Sequence, residues 1–170
     1  DYKTLPTAQQ VKNDIGYIPI LIDSFANGYT FKDGTIINNN LEDENGNSIE
    51  KFKSVSFDYE KDGDIVIFAQ DKYNSQAELQ GSVAKTVGDT DIYYYSYTNK
   101  VVPADYELTD ADKAAEANGD LVFSYGSAEV ELNEIQSATF VKDGMQYQLL
   151  QINGKLSGDE LVKMAEELVA

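Results

Sequence analysis

The chain has 170 residues and a net charge of −17, which comes from 30 acidic residues and 13 basic residues that are all lysines. This charge predicts a protein that binds neither nucleic acid nor anionic membrane surfaces directly, because both require a positive surface. The absence of Cys, His and Trp excludes thiol nucleophiles, imidazole bases and zinc sites built from sulfur or imidazole ligands. Of the metals, only calcium or magnesium bound by oxygen ligands stays open, and we predict no cofactor and no metal site.

The chain is predicted to form a single α+β domain over residues 1–170. Apolar residues make up 42 % of it, which is enough for a hydrophobic core, and no apolar run is long enough to cross a bilayer. The polar stretch 71–80 lacks the Pro and Gly of a linker and is predicted to be a long loop. Because the chain begins with Asp1 rather than Met, we expect that a segment before it has been removed.

A short helix and a turn are predicted in the first part of the chain. Thr7 and Gln10 have the spacing of a capping box, which predicts a helix over 7–14. Lys-Asp-Gly at 32–34 predicts a turn, because Asp-Gly favours the positive φ angles of a tight hairpin.

The segment 43–50 contains three side chains, Asp43, Asn45 and Asn47, that are spaced like the first ligands of a calcium loop. An EF-hand also requires Gly at its sixth position and Glu at its twelfth, and here both positions are Ser. An Asn-Gly pair is typical of turns, so a hairpin tip is favoured over a calcium site.

The middle of the chain is predicted to be β-sheet. Val55, Phe57 and Tyr59 alternate with polar residues, which predicts a half-buried strand. Lys-Asp-Gly at 61–63 then predicts a hairpin turn into 64–70, which is apolar on both faces and therefore predicted to be a central strand.

The stretch DIYYYSYTN at 91–99 raises the main question about a site, because it contains four tyrosines. Strand alternation places Tyr93, Tyr95 and Tyr97 on one face and Ile92 and Tyr94 on the other. A ladder of three rings could contact a ligand or a partner. Tyr is also a strong strand former that packs its ring while its hydroxyl reaches water, so a purely structural role stays open.

A second helix and further strands are predicted after the tyrosines. Thr109 and the Asn118-Gly119 pair predict a helix within 108–119. Its apolar stripe consists only of alanines, so we expect this helix to lie shallowly on the surface. The predicted strands are 121–125, 128–132, 138–142 and 145–152, with Ala128, Val130 and Leu132 on one face of the second and a Lys-Asp-Gly turn at 142–144. The alanines of the stripe are Ala111, Ala114 and Ala115.

The clearest helix is predicted at 157–170. Ser157 and Glu160 form a capping box at its start. Its apolar residues have the spacing i, i+3, i+4 and i+7, so they form one face that must pack on a sheet. These residues are Leu161, Met164, Ala165 and Leu168. Together the elements predict a curved antiparallel meander of about seven to nine strands, with two or three helices packed on one face.

The many acidic residues make a hydrolase with two carboxylates an alternative, since glycoside hydrolases use such a pair. Such a site also requires a cleft that raises the pKa of one carboxyl group. Nearly all acids here occupy turns, polar helix faces or outward strand positions, where we expect ordinary pKa values. We therefore predict no catalytic residue.

The segment 138–169 resembles the closing motif of the DUF4367-type domains of Gram-positive bacteria. That motif is a strand, an acidic-Gly turn, a strand with a Tyr, and a Ser-capped helix; NGYTF at 27–31 also resembles an early strand of the family. The matching residues are Phe140, Asp143, Gly144, Tyr147, Leu149, Ser157, Glu160, Leu161, Met164, Ala165 and Leu168.

The resemblance implies an extracytoplasmic domain, secreted or anchored to the membrane through its removed N-terminal segment, with a sheet crossed by helices as in lipoprotein carriers. The family has no agreed catalytic residues. We therefore predict a non-catalytic binding or sensor domain of a bacterial cell-surface or secreted protein. It would recognise a protein partner, or a small apolar or glycan ligand, through Tyr93, Tyr95 and Tyr97 or through a groove between sheet and helices. A structural spacer without a ligand is a further alternative, and the oligomeric state stays open.

Overall fold

The computed structural model describes residues 1–75 and 78–170, and within them an eight-stranded sheet and three helices confirm the α+β class. The helices are α1 (Ala8–Ile15), α2 (Asp110–Ala117) and α3 (Gly158–Val169). The strands are β1 (Thr30–Glu42), β2 (Ser48–Lys61), β3 (Asp64–Lys72), β4 (Ser82–Val87), β5 (Thr90–Val102), β6 (Leu121–Tyr125), β7 (Glu131–Lys142) and β8 (Met145–Ile152). None of the described helices is long and apolar enough to cross a membrane.

The strands follow the order β1-β2-β3-β8-β7-β5-β4, and β6 pairs with β5 as well. After β3 the chain crosses to the far edge of the sheet, builds β4 and β5, and returns through β7 and β8 to pair with β3. The predicted loop at 71–80 begins only after Lys72, and its residues 76 and 77 lie outside the described part of the chain. All pairings are antiparallel except that of β5 with β6.

One face of the sheet carries the hydrophobic core. Val55, Phe57 and Tyr59 of β2 are fully buried, as their alternation predicts. The face is covered by α1 and α3, and all four predicted apolar residues of α3 are buried. Burial of these large side chains is the main stabilising contribution to the fold.

The capping boxes are formed as the sequence predicts. In α1 the Thr7 hydroxyl accepts from the N–H of Gln10, whose side chain accepts from the N–H of Thr7. Ser157 and Glu160 form the same reciprocal pair at α3, and each box satisfies donors that a helix start would otherwise leave unpaired.

Two turn predictions are confirmed and one is wrong. The triplets at 61–63 and 142–144 form hairpin turns, in which Asp62 and Asp143 have positive φ angles. The triplet at 32–34 lies inside β1 next to an irregularity in its pairing with β2. Gly34 is required there because the Phe57 ring covers it, and a Cβ atom on residue 34 would lie 2.6 Å from that ring.

Helix α2 lies shallowly on the surface, as its thin alanine stripe predicts, with Ala111 and Ala114 exposed and Asp112 buried. The predicted strand at 128–132 is wrong in its bounds, because β7 begins only at Glu131, and Val130 and Leu132 are exposed.

An irregular segment, 16–29, lies over the core between α1 and β1. Its Phe25 and Tyr29 are buried, and Gln70 of β3 bonds both the N–H and the C=O of Ile20 at 2.7 Å. The Tyr59 hydroxyl donates to the C=O of Ile22 at 2.6 Å. Polar side chains of the sheet thus supply the hydrogen bonds that this segment cannot make by itself.

Candidate binding face

The two faces of β5 have different environments. Ile92 is fully buried, and Tyr94 packs against the core beside α3 with its hydroxyl 2.7 Å from Oε1 of Gln136. Tyr93, Tyr95 and Tyr97 therefore project from the opposite face, and each is partly exposed. The core therefore takes the face of Ile92 and Tyr94, and the ladder of three tyrosines lies on the other face.

We use the name open face for the partly exposed residues that project from the sheet on the side away from α1 and α3. The register aligns Tyr95 with Ser137 and Leu150, and aligns Tyr97 with Ile135 and Ile152. The apolar cluster of the open face comprises Ile65, Ile67, Tyr93, Tyr95, Tyr97, Ile135, Leu150 and Ile152, and Ala69, Val141 and the uncharged Gln148 project from the same side.

The centre of the open face is apolar and carries no charge. Ile152 is 48 % exposed, and the other seven residues are partly buried by one another. The small residues Ser137 and Thr139 are buried between these taller neighbours. Contiguous apolar surface of this kind on a soluble domain is typical of an interaction site.

The tyrosines form a stack rather than three separate platforms. The rings of Tyr95 and Tyr97 lie 5.1 Å apart, centroid to centroid, at an interplanar angle of 28°. The Tyr95 hydroxyl donates to the C=O of Gly119 at 2.7 Å, which fixes its ring. Since the facing sides of these two rings are occupied by each other, their edges and outer sides are the parts that stay accessible.

Acidic residues border the open face. Asp58 and Glu60 of β2 lie directly beside Ile67 and Ile65, and Asp71 lies beside Gln146 at the end of β3. Burial raises the pKa of Asp58, and the negative charge of neighbouring Asp33 raises it further. Burial also raises the pKa of Asp71, so the expectation of ordinary pKa values is wrong for these two carboxyl groups.

Asp112 is a buried acid that sequence reasoning missed, and its contacts give it a structural role. Its carboxylate accepts from Lys100 Nζ at 2.8 Å, from the Tyr106 hydroxyl at 2.6 Å and from the N–H of Thr109 at 3.0 Å. The Lys100 and Tyr106 hydrogen bonds hold the pKa of Asp112 well below its usual range. The carboxylate is therefore a fully bonded anchor of α2 on β5. Its only signal in the sequence is its place three residues after the cap Thr109.

The segment with calcium-like spacing forms a hairpin tip. The Asp43 carboxylate accepts from the N–H groups of Asn45 and Asn47 at 2.9 and 2.8 Å, and these bonds lower its pKa. Its oxygens thus close the turn. Within the described residues, no group of three or more acidic side chains is arranged to hold a metal ion.

The groove between sheet and helices, the other predicted location for a ligand, is mostly filled, and a small cavity of about 210 Å³ remains beside Tyr94, Gln136 and Leu156. Phe25 and Tyr29 of segment 16–29 are part of the core cluster together with the buried residues of α1 and α3. The open face is therefore the candidate site.

The chain matches no protein-family model, no curated protein and no solved structure among those with which it was compared. The class of the protein is thus defined by its fold: an α+β domain whose mainly antiparallel sheet carries α1 and α3 on one face and has a tyrosine-lined apolar surface on the other.

Proposed function

We propose that this protein is a non-catalytic binding domain that recognises a protein partner through its open face. The observation that carries the proposal is the uncharged apolar surface around Tyr95, Tyr97 and Ile152, which lies on the side of the sheet away from the core. Tyrosines contribute large contact areas at low entropic cost and are enriched in protein interfaces.

A protein fits this surface better than a sugar does. The stacking of Tyr95 on Tyr97 occupies the inner sides of both rings, which halves the aromatic area of these two rings on which a sugar ring could stack. Ring edges, hydroxyl groups and aliphatic side chains in one plane instead match the broad contact that a protein surface makes.

The charge of the domain indicates the chemistry of the partner. Asp58, Glu60 and Asp71 border an apolar centre, and the whole chain has a net charge of −17. A complementary partner has an apolar centre with lysine or arginine around it, because such charges speed association and disfavour wrong partners.

The resemblance of segment 138–169 to DUF4367-type domains supports a proposal about the location of the protein. We propose that the domain acts outside the cytoplasm, secreted or anchored at the bacterial cell surface. Its partner is then another extracytoplasmic protein.

Site-specific photo-crosslinking in the cells that produce the protein tests this function. A benzophenone amino acid replaces Tyr97 on the open face or, as the matched control, Tyr125, which is 57 % exposed and pairs with Val102 on the core side of the sheet. We expect one discrete protein to crosslink from position 97 and not from 125, and the purified pair to associate. Equal crosslinking from both positions, or none from either, contradicts the proposal and favours a spacer.

A further inference from the structure

The outer edge of β1 is only half covered. Tyr2 pairs with Gly34 through two backbone hydrogen bonds of 2.8 Å, and Ser24 forms a bridge with Thr30. These contacts cover the first part of the edge. The second part is 35–42, and from Ile37 onward it belongs to a two-stranded arm, because β3 pairs with β2 only from Val55, the partner of Ile36, onward.

Backbone groups in this second part point away from β2. In an antiparallel pair the N–H and C=O groups of alternate residues point to opposite sides. Because those of Gly34 point outward to Tyr2, the same groups of Ile36, Asn38 and Asn40 also point outward. Among the described residues these six groups have no backbone partner.

The edge lacks the features that usually protect an exposed strand. Such edges carry lysine, proline or a bulge, each of which discourages pairing with another strand. The residues 35–40, Thr-Ile-Ile-Asn-Asn-Asn, contain none of these, and the register with β2 is continuous over them. A two-stranded hairpin is also marginally stable in water and gains from a third strand.

We propose that the edge of β1 from Ile36 to Leu41, before the irregularity between Leu41 and Glu42, binds an extended peptide segment of another protein by strand addition, antiparallel to β1. The orientation is the one that Tyr2 already takes at Gly34. Backbone hydrogen bonds supply affinity, and side chains at alternate positions supply specificity. This surface lies at the sheet edge and is independent of the open face.

The side chains of β1 specify the peptide. Ile37 and Leu41, both more than 40 % exposed, lie on one side of the arm and require apolar peptide residues opposite them. The tip of the arm is acidic, with Glu42, Asp43 and Glu44 in succession, whereas Lys51 and Lys53 of β2 lie opposite Asn40 and Asn38. An antiparallel peptide places its N-terminal end beside the acidic tip, so that end is basic.

A second copy of the chain is a poorer occupant. Each copy has a net charge of −17, and like charges of this size oppose association. Tyr2 also blocks the edge at Gly34, which shortens the stretch over which two β1 strands could pair.

The experiment uses a fluorescent peptide, acetyl-Lys-Lys-Val-Thr-Thr-Thr-Val-Thr-amide, whose valines lie opposite Leu41 and Ile37 in the proposed register. Fluorescence anisotropy with the whole chain is expected to show saturable binding. Two peptides with a single N-methyl group provide the matched comparison, one methylated opposite Asn38 and the other opposite Asn39. The first methyl group removes an inter-strand hydrogen bond, so this peptide is expected to bind at least about tenfold more weakly. The second methyl group replaces an N–H that points away from β1, so this peptide is expected to bind like the parent.

A protein variant tests the same edge from the other side. Asn38→Pro removes an outward N–H without breaking a bond to β2 and is expected to weaken peptide binding about tenfold or more, whereas Asn38→Ala is expected to bind normally. Circular dichroism checks that both variants fold. Absence of saturable binding, equal binding of the two methylated peptides, or a wild-type dimer that Asn38→Pro dissociates would overturn the proposal. Tyr97→Ala is expected to leave peptide binding unchanged, which separates this outcome from failure of the open-face function.

Discussion

Gln70 and Gln151, both almost completely buried, connect the regular sheet to irregular segments. Gln70 bonds both backbone groups of Ile20. Gln151 donates to Asp64 at 2.8 Å and accepts from the N–H of Leu156 at 3.1 Å. A buried amide has both a donor and an acceptor, so each of these residues satisfies backbone or side-chain groups that burial would otherwise leave unpaired.

Replacing Gln70 with leucine is expected to lower the free energy of unfolding by about 3 kcal/mol, because two backbone groups of Ile20 lose their partners. Urea denaturation measures the change. Gln148→Leu is the control, since Gln148 lies on the face of β8 away from the core and makes one long hydrogen bond, to Thr139 at 3.3 Å. We expect this variant to lose less than about 1 kcal/mol of unfolding free energy. Equal losses in the two variants would show that the bonds to Ile20 contribute little.

Asp112 is expected to make stability depend on pH in the acid range. Its folded pKa lies below the unfolded value of 3.8, so its contribution is present above that value and is lost as pH falls through the folded pKa. The stability difference between wild type and Asp112→Asn should therefore be largest near neutral pH and shrink below about pH 4. Urea midpoints across this range measure it, with Asp110→Asn, an exposed acid in the same turn, as the control. A difference that is constant with pH contradicts the assigned role.

The residues that could be predicted from the sequence are those whose partners are near in the chain. The capping pairs of Thr7 with Gln10 and Ser157 with Glu160 are three residues apart, so spacing alone identifies them. Gln70, by contrast, bonds a residue fifty positions away. No local pattern distinguishes Gln70 from an exposed glutamine.

Among the elements, α3 was predictable and α2 was predictable only in part. The apolar face of α3 is large enough that it must be buried, and its residues are buried as expected. For α2 the caps predict the helix, but its attachment depends on Lys100 of β5. The triplet at 32–34 was misread as a turn because the Phe57 ring that requires Gly34 is remote in sequence.

At the start of α3, replacing Gly158 with alanine is expected to destabilise the protein by about 1–3 kcal/mol. Glycine-to-alanine changes in helices usually stabilise, but here the new Cβ would lie 2.9 Å from the ring and hydroxyl of Tyr94, which Gln136 holds in place. Thermal or urea unfolding measures the effect. In a Tyr94→Leu background the same change should become neutral or favourable, and an equal loss in both backgrounds would exclude this contact as the cause.

For the whole molecule, the sequence predicts the class of fold but not the strand order. The pairing of β3 with β8 joins segments that are about eighty residues apart, and many arrangements satisfy the same alternation. The two faces of the tyrosine strand were predictable, whereas the choice of the buried face was not, because both faces carry rings. The position of α3 beside Tyr94 determines which face is buried. Tyr93, Tyr95 and Tyr97 therefore lie on the open face.

The central claim is that the open face binds a protein partner, and a matched pair of substitutions tests it most directly. Ile152 lies on the open face and is 48 % exposed, whereas Ile18 lies in segment 16–29 and is 61 % exposed. The dissociation constant of the crosslinked partner is measured for wild type, Ile152→Lys and Ile18→Lys. We predict at least about tenfold weaker binding for Ile152→Lys, because a charge enters an apolar contact, and unchanged binding for Ile18→Lys. Equal affinities of all three proteins would contradict the claim.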